Sequence, residues 1–221
     1  MTETPLFVYA ALGDSTAVGY GAPYGEGYVD RLYQKMARHR QLLRLENLAT
    51  SGARLPDVAG LQSDAALKLR PSIITFFAGT NDLLRNTSLE DVLAALDRAV
   101  ARFPLFGCPV IVGTLPDVRH SPLIPVLRWR FPGYSVASVS QRVDAVNERL
   151  REHAKRGTFR LVDVFAESKR VLGERPDYFC PDGVHPSSLG YKAIAEAFWP
   201  AVAQVIGAPQ NFSLALSFLC S

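Results

Sequence analysis

The chain alternates between two hydrophobic patterns. Short runs rich in β-branched and aromatic residues are each followed by a loop of small residues, which is typical of buried strands. Between them lie longer stretches in which apolar residues recur every three or four positions, as on one face of a helix. The short runs predict five strands, over residues 7–12, 45–49, 73–78, 109–113 and 159–164. Strands and helices in alternation predict an α/β fold whose parallel sheet is covered on both faces.

The longer stretches predict the helices. Thr87 with Glu90 resembles a capping box that opens the second helix, and this helix must end before Pro104. The last helix is expected to begin at residues 187–188 and to stop at Gly207. The predicted buried stripes are Val29, Leu32, Tyr33 and Met36 in the first helix, Leu89, Val92, Leu93, Leu96, Val100 and Phe103 in the second, Val143, Val146 and Leu150 in the third, and Leu189, Ile194, Phe198, Val202 and Val205 in the last.

The length and composition fit one folded unit. A chain of 221 residues, 48% of them hydrophobic, can bury one complete core. We therefore expect a single domain over residues 1–208, followed by a short tail over residues 209–221.

Charge, cysteines and apolar runs limit the expected partners. The 24 basic and 21 acidic residues are scattered along the chain and leave a formal charge of +3, so a nucleic-acid partner is not expected. Cys108, Cys180 and Cys220 have no paired spacing, which favours reduced thiols in a cytoplasm. The apolar runs at 6–12 and 212–220 are too short for a signal core or for a membrane helix of about 20 residues. We expect a cytoplasmic protein without stable membrane insertion.

A serine lies where the first predicted strand ends. Gly13, Asp14 and Ser15 close that strand, and a glycine there permits a sharp turn and a close approach by substrate. Ser15 is therefore a candidate nucleophile. A lone Gly-Asp-Ser is more often a turn or a helix cap, so the interpretation needs a base.

One histidine of four has the setting of a base. His185 lies in a turn of Pro, Gly and Asp just before the last helix, and Asp182 precedes it by three residues. A carboxylate at that spacing can turn back and hold one imidazole nitrogen, leaving the other to accept the serine proton. The alternative is an Asp turn whose carboxylate only binds backbone N–H groups. His39 is expected in the basic end of a helix and His153 on a solvated helix surface. His120 falls in a long loop and could touch substrate, although a surface histidine is the favoured interpretation.

Ester cleavage also needs hydrogen-bond donors for the oxyanion. Gly52 follows the second strand and could present an unobstructed N–H, while Asn81 follows the third strand and could present its side-chain amide. Both loops are expected at the carboxyl edge of the sheet, where ligands bind. Ordinary turn chemistry would also explain a Gly and an Asn at these positions.

Taken together, these short motifs resemble the blocks of the SGNH hydrolase superfamily, also called GDSL lipases and esterases. The blocks are Gly13-Asp14-Ser15, Gly52, Gly79-Thr80-Asn81-Asp82 and Asp182-Gly183-Val184-His185, in that order over nearly the whole chain. One departure is Thr16, where the first block often has Leu. This change puts the subfamily in question, because Thr16 is a neighbour of the candidate nucleophile.

The resemblance implies a fold, a reaction and a role for each matching residue. The fold would be a three-layer α/β/α sandwich like flavodoxin, with a five-stranded parallel sheet in the order 2-1-3-4-5. The reaction would be cleavage of a small-molecule carboxylic ester through an acyl-enzyme, without a metal or organic cofactor. Ser15 would be the nucleophile, His185 the base and Asp182 its orienting partner. The oxyanion donors would be the Ser15 N–H, the Gly52 N–H and the Asn81 side chain.

A long connection over residues 114–135 follows the fourth predicted strand. It contains Trp129 and several other apolar residues, together with Arg119, Arg128 and Arg130. Long loops are often functional, so this one is a candidate lid over an acyl group, with arginines for an anionic part of the substrate. Docking on the sheet edge or a dimer contact would explain it equally well.

Two other functions remain open at this point. The first is a metal-dependent phosphoesterase, in which Asp14, Asn81, Asp82, Asp182 and His185 gather around a cation. The second is a binding module without catalysis on the same scaffold. Activity in the presence of a chelator and turnover of any ester would distinguish them from the serine hydrolase.

Overall fold

The computed structural model describes residues 5–84, 87–117, 119, 121, 135–172 and 175–208. Five parallel strands form one sheet in the order β2-β1-β3-β4-β5, which confirms the predicted fold class and strand order. The strands are β1 Phe7–Gly13, β2 Leu43–Asn47, β3 Ile73–Phe77, β4 Val110–Gly113 and β5 Arg160–Val162.

Helices cover both faces of the sheet. They are α1 Ser15–Val18, α2 Tyr28–Ala37, α3 Leu55–Asp57, α4 Ser63–Leu69, α5 Thr80–Leu83, α6 Leu89–Val100, α7 Val136–Lys155, α8 Val164–Leu172 and α9 Ser188–Ile206, with a π-helical turn at Val58–Gln62 and 3₁₀ turns at Phe103–Phe106 and Pro176–Tyr178. Helices α3, α4, α6 and α7 pack on one face, and α2, α8 and α9 pack on the other. Adjacent strand residues point to opposite faces, so each strand contributes to both cores.

The second strand begins two residues earlier than predicted. It spans Leu43–Asn47 rather than 45–49, because it lies at the edge of the sheet and its bounds are set by pairing with β1, from Phe7 opposite Leu43 to Ala11 opposite Asn47. Ala49 is already in the turn, where its N–H donates to the Asn47 side chain. The predicted fifth strand was too long at both ends, since Val164 begins α8.

The crossover from β2 to β3 was not predicted as a helix. Helix α3, the π turn and α4 follow one another without a break from Leu55 to Leu69 and bury Leu55, Val58 and Ala66 against the sheet. Gly60 and the wider π turn interrupt the regular helical spacing that would have identified this segment. The π turn also places Gln62 beside β1.

Serine side chains cap the N-termini of α6 and α9. The side chain of Ser88, not Thr87, caps α6 by accepting the N–H of Asp91, and the helix begins one residue later than the predicted capping box requires. Ser187 caps α9 through the N–H of Gly190, and Gly207 ends that helix in a left-handed conformation with φ of 67°. The start and end of the last helix are therefore confirmed.

The predicted buried stripe of α9 was wrong at one position. Leu189 is 45% exposed. The buried stripe runs through Tyr191, Ala195, Phe198 and Val202, which recur every three or four residues. Leu189 lies two residues before Tyr191 and so faces a different side of the helix.

Within the described ranges, no helix combines the length and the apolar composition that crossing a membrane requires.

Candidate active site

Ser15 lies at the point where β1 turns into α1. A Cβ atom on Gly13 would lie 2.4 Å from the carbonyl oxygen of Phe77, so only glycine fits at the end of this strand. Asp14 caps the helix, because its side chain accepts the N–H of Thr16 at 2.9 Å. The sharp turn holds the Ser15 side chain at the carboxyl edge of the sheet, where the sequence placed it.

His185 and Asp182 complete a continuous chain of hydrogen bonds with Ser15. The Nε2 atom of His185 lies 2.8 Å from Ser15 Oγ, and its Nδ1 atom lies 2.7 Å from Asp182 Oδ2. These three side chains come from opposite ends of the chain and are brought together by the fold. With a spacing of three residues, the Asp182 carboxylate turns back and contacts one imidazole nitrogen of His185, as the sequence predicts.

A compact turn holds the two residues in this arrangement. The N–H of Cys180 donates to the carbonyl of His185 at 2.8 Å, and the N–H of Gly183 donates to the carbonyl of Cys180 at 2.9 Å. Gly183 has a φ of 69°, which favours glycine. The Oδ1 atom of Asp182 accepts the N–H groups of Val184 and His185. Asp182 therefore acts both as the turn residue and as the partner of the imidazole, so its carboxylate is not limited to backbone contacts.

The same contacts set the charge of Asp182. Partial burial raises the pKa of the Asp182 carboxyl. The hydrogen bonds from the His185 ring and from the N–H groups of His185 and Val184 lower this pKa by more than burial raises it, so the net shift is downward. Asp182 therefore stays ionised at neutral pH and can keep a proton on His185 Nδ1.

The two candidate oxyanion loops are connected to each other. The side-chain amide of Asn81 donates to the carbonyl of Ala53 at 3.0 Å, and the turn before Ala53 is closed by the Ala53 N–H donating to the carbonyl of Thr50. The N–H of Thr50 in turn donates to the carbonyl of Gly13 at 3.2 Å. Gly52 lies at the tip of this turn with a φ of 78°. Both loops are thus anchored at the carboxyl end of β1.

A cavity of about 190 Å³ opens beside these groups; we call it the inner cavity. Ser15, His185 and Asn81 line this cavity. Gly52 is described by the structure but does not line it. Most of the remaining wall is apolar, and it includes Leu84, Phe77, Pro116, Val139, Val164, Ala193, Ile194 and Ala197. A polar reacting edge with an apolar interior suits an ester that carries a hydrocarbon acyl group.

Two further carboxylates near the site, those of Asp14 and Asp82, accept hydrogen bonds from backbone N–H groups. Burial raises the pKa of Asp14 to about 6. Burial also raises the pKa of Asp82, whose Oδ2 atom accepts the N–H of Leu55 at 3.0 Å. Over the part of the chain that the structure describes, no three His, Cys, Asp or Glu side chains group as metal ligands would.

The other histidines lie away from Ser15 or outside the described residues. His39 stacks on Trp199, with 6.0 Å between the ring centroids. His153 was expected to be solvated, but its side chain is only 13% exposed and its Nε2 atom lies 2.7 Å from Asp97 Oδ1. The helix α7 turns this residue toward α6. His120 lies outside the described residues.

Only the two ends of the long connection can be described. Ser121 donates its hydroxyl to the carbonyl of Gly183 at 2.7 Å, which joins the loop to the turn that carries His185. Arg119 was a candidate for an anionic substrate group, but its guanidinium pairs with the buried carboxylate of Asp117. The predicted lid residues, including Trp129, Arg128 and Arg130, lie outside the described residues, as does the tail over 209–221.

Two residues near the site were not found from the sequence. Gln62 hydrogen-bonds to the backbone of Gly13. The ring of Tyr20 lies 4.5 Å from that of His185, measured between centroids. No local motif marks Gln62. Tyr20 lies between Gly19 and Gly21 in the loop after Ser15, and no motif marks it either.

Comparison with known proteins gives a family and several relatives. A model of the GDSL-like lipase/acylhydrolase family matches residues 11–193. The spore germination lipase LipC of Bacillus licheniformis is 28% identical over 201 residues, which cover 85% of this chain and 92% of LipC.

Solved structures support the same fold at lower identity. A member of the lipolytic G-D-S-L family from Veillonella parvula superposes with a TM-score of 0.70 at 20% identity, covering 90% of this chain and 99% of that one. A catalytic mutant of Axe2, an acetylxylan esterase from Geobacillus stearothermophilus, gives a TM-score of 0.69 at 20% identity, with coverage of 92% and 95%. At such identities the two structures bear on the fold alone.

Proposed function

Because the chain belongs to the GDSL-like lipase/acylhydrolase family and is therefore an ester hydrolase, we propose that it cleaves carboxylic esters with Ser15 as nucleophile, His185 as base and Asp182 as the partner of the base. The observation that carries the proposal is the pair of contacts at His185, 2.8 Å to Ser15 Oγ and 2.7 Å to Asp182 Oδ2. A nucleophile, a base and an orienting carboxylate within hydrogen-bond reach form the arrangement that acyl transfer requires.

The first half of the reaction forms an acyl-enzyme. Ser15 Oγ attacks the carbonyl carbon of the ester while His185 Nε2 takes the hydroxyl proton. The tetrahedral intermediate then collapses, the bond to the alcohol oxygen breaks, and His185 returns the proton to the leaving alkoxide. Ser15 is left esterified, and the alcohol departs.

The second half releases the acid. His185 Nε2 takes a proton from water, whose oxygen attacks the acyl carbon of the Ser15 ester. Collapse of this second intermediate breaks the bond to Ser15 Oγ, which regains its proton from His185. The ionised Asp182 stabilises the imidazolium at both stages. It also fixes the tautomer of the neutral imidazole, with the proton on Nδ1.

The oxyanion that forms twice in this cycle needs donors. We assign them to the Ser15 N–H, the Gly52 N–H and the side-chain amide of Asn81. The amide of Asn81 has two N–H bonds, one of which is used by the carbonyl of Ala53. That contact would orient the second N–H, and each preset donor contributes about 10²-fold or more to the rate.

The phosphoesterase alternative has less support than the ester hydrolase. It would need Asp14 and Asp82 to face a cation together with His185. The Asp14 side chain instead accepts a backbone N–H in its own helix cap, and Asp82 accepts the N–H of Leu55. These carboxylates have structural partners that a metal ligand would have to give up.

Hydrolysis of p-nitrophenyl acetate and butyrate, measured with and without a chelator, tests the proposal. Wild type should turn over both esters, and Ser15→Ala should lose at least about 10³-fold in kcat. Ser51→Ala, which alters an exposed serine in the neighbouring loop, is the matched control and should keep its activity. Turnover that survives in Ser15→Ala refutes the assigned nucleophile. Loss of wild-type turnover only when the chelator is present favours the metal enzyme. If no protein turns over either ester, the binding module is favoured.

A further inference from the structure

The inner cavity has a thin wall on the side away from Ser15. A second and larger space of about 860 Å³, which we call the outer groove, lies between α8 and α9. Four residues line both spaces, and we call them the partition: Glu167 from α8, Tyr178 from the turn after it, and Ala193 and Ala197 from α9. The inner cavity and the outer groove are therefore neighbours, separated by a single layer of side chains.

The α9 side of the partition consists of two methyl groups. Ala193 and Ala197 are four residues apart, so they lie one above the other on the same face of the helix. Both are half-buried, whereas Ala195 and Phe198 on the neighbouring face are buried in the core. Ala197 also packs in part against the core, and both methyl groups border the inner cavity and the outer groove.

The outer groove offers further apolar surface beyond the partition. Leu161, Ala166, Pro200 and Ala201 line it, and so do the charged residues Asp163, Arg175, Lys192 and Glu196. Leu189, the residue that is 45% exposed against expectation, lies on its rim. Exposed apolar side chains beside a groove are typical of a surface that binds an apolar ligand.

On the basis of the proposed function, we infer that the partition opens beside Ala193 and Ala197 and that the opening is a passage for the acyl chain. The inner cavity has room for about six heavy atoms, since an atom group the size of a water takes about 30 Å³. The acyl group of a Ser15 ester with a longer chain continues past the two alanines into the outer groove. The enzyme therefore acts on esters of medium and long fatty acyl groups as well as on short ones.

Glu167 and Tyr178 form the other side of the passage. Glu167 is half-buried and places a carboxylate in the wall of both spaces. An unsubstituted hydrocarbon chain leaves that carboxylate undisturbed, whereas an acyl chain ending in a second carboxylate would be repelled.

Narrowing the passage should change the chain-length profile and not the chemistry. The test compares wild type with Ala193→Leu and Ala197→Leu on butyryl, octanoyl and dodecanoyl p-nitrophenyl esters. Each variant adds three carbon atoms to the partition. Each buried methylene contributes about fourfold to binding, so displacement of three methylenes of the chain should lower kcat/KM for the dodecanoyl ester by about 60-fold relative to the butyryl ester. Ala193→Val and Ala197→Val should give smaller losses that also begin with the longest ester.

Ala145→Leu is the matched control. Ala145 is another half-buried helix alanine, on α7, and it lines neither space. Its profile should equal that of wild type. A wild type that already fails on octanoyl and dodecanoyl esters, or partition variants that lose all three esters equally, would overturn the passage. Both results leave the proposed function standing as long as butyryl turnover depends on Ser15, and butyryl turnover that persists in Ser15→Ala would refute the proposed function instead.

Discussion

The side-chain amide of Gln62 forms two hydrogen bonds with the backbone of Gly13, one in each direction. Gln62 Oε1 accepts the N–H of Gly13 and Gln62 Nε2 donates to its carbonyl, each at 2.8 Å. Gln62 is buried, and Gly13 is the last residue of β1, two residues before Ser15. The π turn of the crossover segment therefore fixes the strand end that carries the proposed nucleophile.

Gln62→Ala should destabilise the protein because the buried N–H of Gly13 loses its acceptor, while the Gly13 carbonyl keeps only the N–H of Thr50. We expect the free energy of unfolding to fall by about 1–3 kcal/mol, measured by urea denaturation. Gln34→Ala removes a glutamine whose side chain also donates to a backbone carbonyl, that of Gly25, but at the surface. That control should lose less than about 1 kcal/mol. Equal losses in the two variants would show that the Gly13 contacts have no special weight.

Asp182→Asn tests the orientation of the base. The carboxamide would keep its oxygen on the backbone N–H groups and turn its NH₂ toward His185 Nδ1. The imidazole would then carry its proton on Nε2, where it cannot accept one from Ser15. We expect kcat for a butyryl ester to fall by about 10³–10⁴-fold with little change in KM.

The control for this substitution is Asp163→Asn. Asp163 also accepts a backbone N–H in an exposed turn, that of Ala166, but it lies away from Ser15. It should retain wild-type kcat on the butyryl ester. A kcat for Asp182→Asn within about threefold of wild type would contradict the role assigned to Asp182.

Asn81→Ala tests the proposed oxyanion donor. Removal of the amide should lower kcat by about 10²–10³-fold, while KM changes little, because the donor acts on charge that develops only in the transition state. Asn81→Asp replaces the donor with an acceptor that faces the carbonyl of Ala53 and should be at least as impaired. Steady-state kinetics on the butyryl ester decide the matter, and a rise in KM at constant kcat would assign Asn81 to substrate binding instead.

The buried carboxyl of Asp14 gives a prediction for stability against pH. Burial raises the pKa of Asp14 to about 6 in the folded protein, compared with about 3.9 when unfolded. Between these values the folded state holds the proton more tightly, so this group's contribution to stability is present at low pH and is lost as the pH rises through 6.

Asp14→Asn keeps an acceptor for the Thr16 N–H and removes the charge. Relative to wild type, the variant should gain about 3 kcal/mol in unfolding free energy between about pH 4 and about pH 8. Urea denaturation of both proteins across this range measures the difference. A difference that is independent of pH would mean that Asp14 is not held in a desolvated setting.

Much of the fold was predictable because its strands are buried on both faces. Strand β3, Ile73–Phe77, is fully buried and apolar except for Thr75, so its position was predicted to within a residue. Strand β2 is at the edge and half-exposed, so pairing with β1, not hydrophobicity, fixes where it begins. The crossover from Leu55 to Leu69 had no regular period to detect, because a π turn divides it.

The polar side of the candidate site was also predictable, whereas its support was not. Ser15, Asp182 and His185 each stand in a short local motif, and the structure brings them together. Gln62 supports Ser15 from a segment that is 47 residues away in sequence, a relationship that comes only from the fold. The position of Ala193 and Ala197 between the inner cavity and the outer groove was likewise not predictable, because a pair of helix alanines does not indicate which spaces it borders.

Covalent labelling with diethyl p-nitrophenyl phosphate tests the central claim most directly, because an activated serine displaces the nitrophenolate and keeps the phosphoryl group. Intact-mass and peptide mass spectrometry should find one adduct per chain, located on Ser15, with labelling abolished in Ser15→Ala and strongly slowed in Asp182→Asn. An adduct on a different residue, or ester hydrolysis that continues undiminished once Ser15 is fully labelled, would contradict the account.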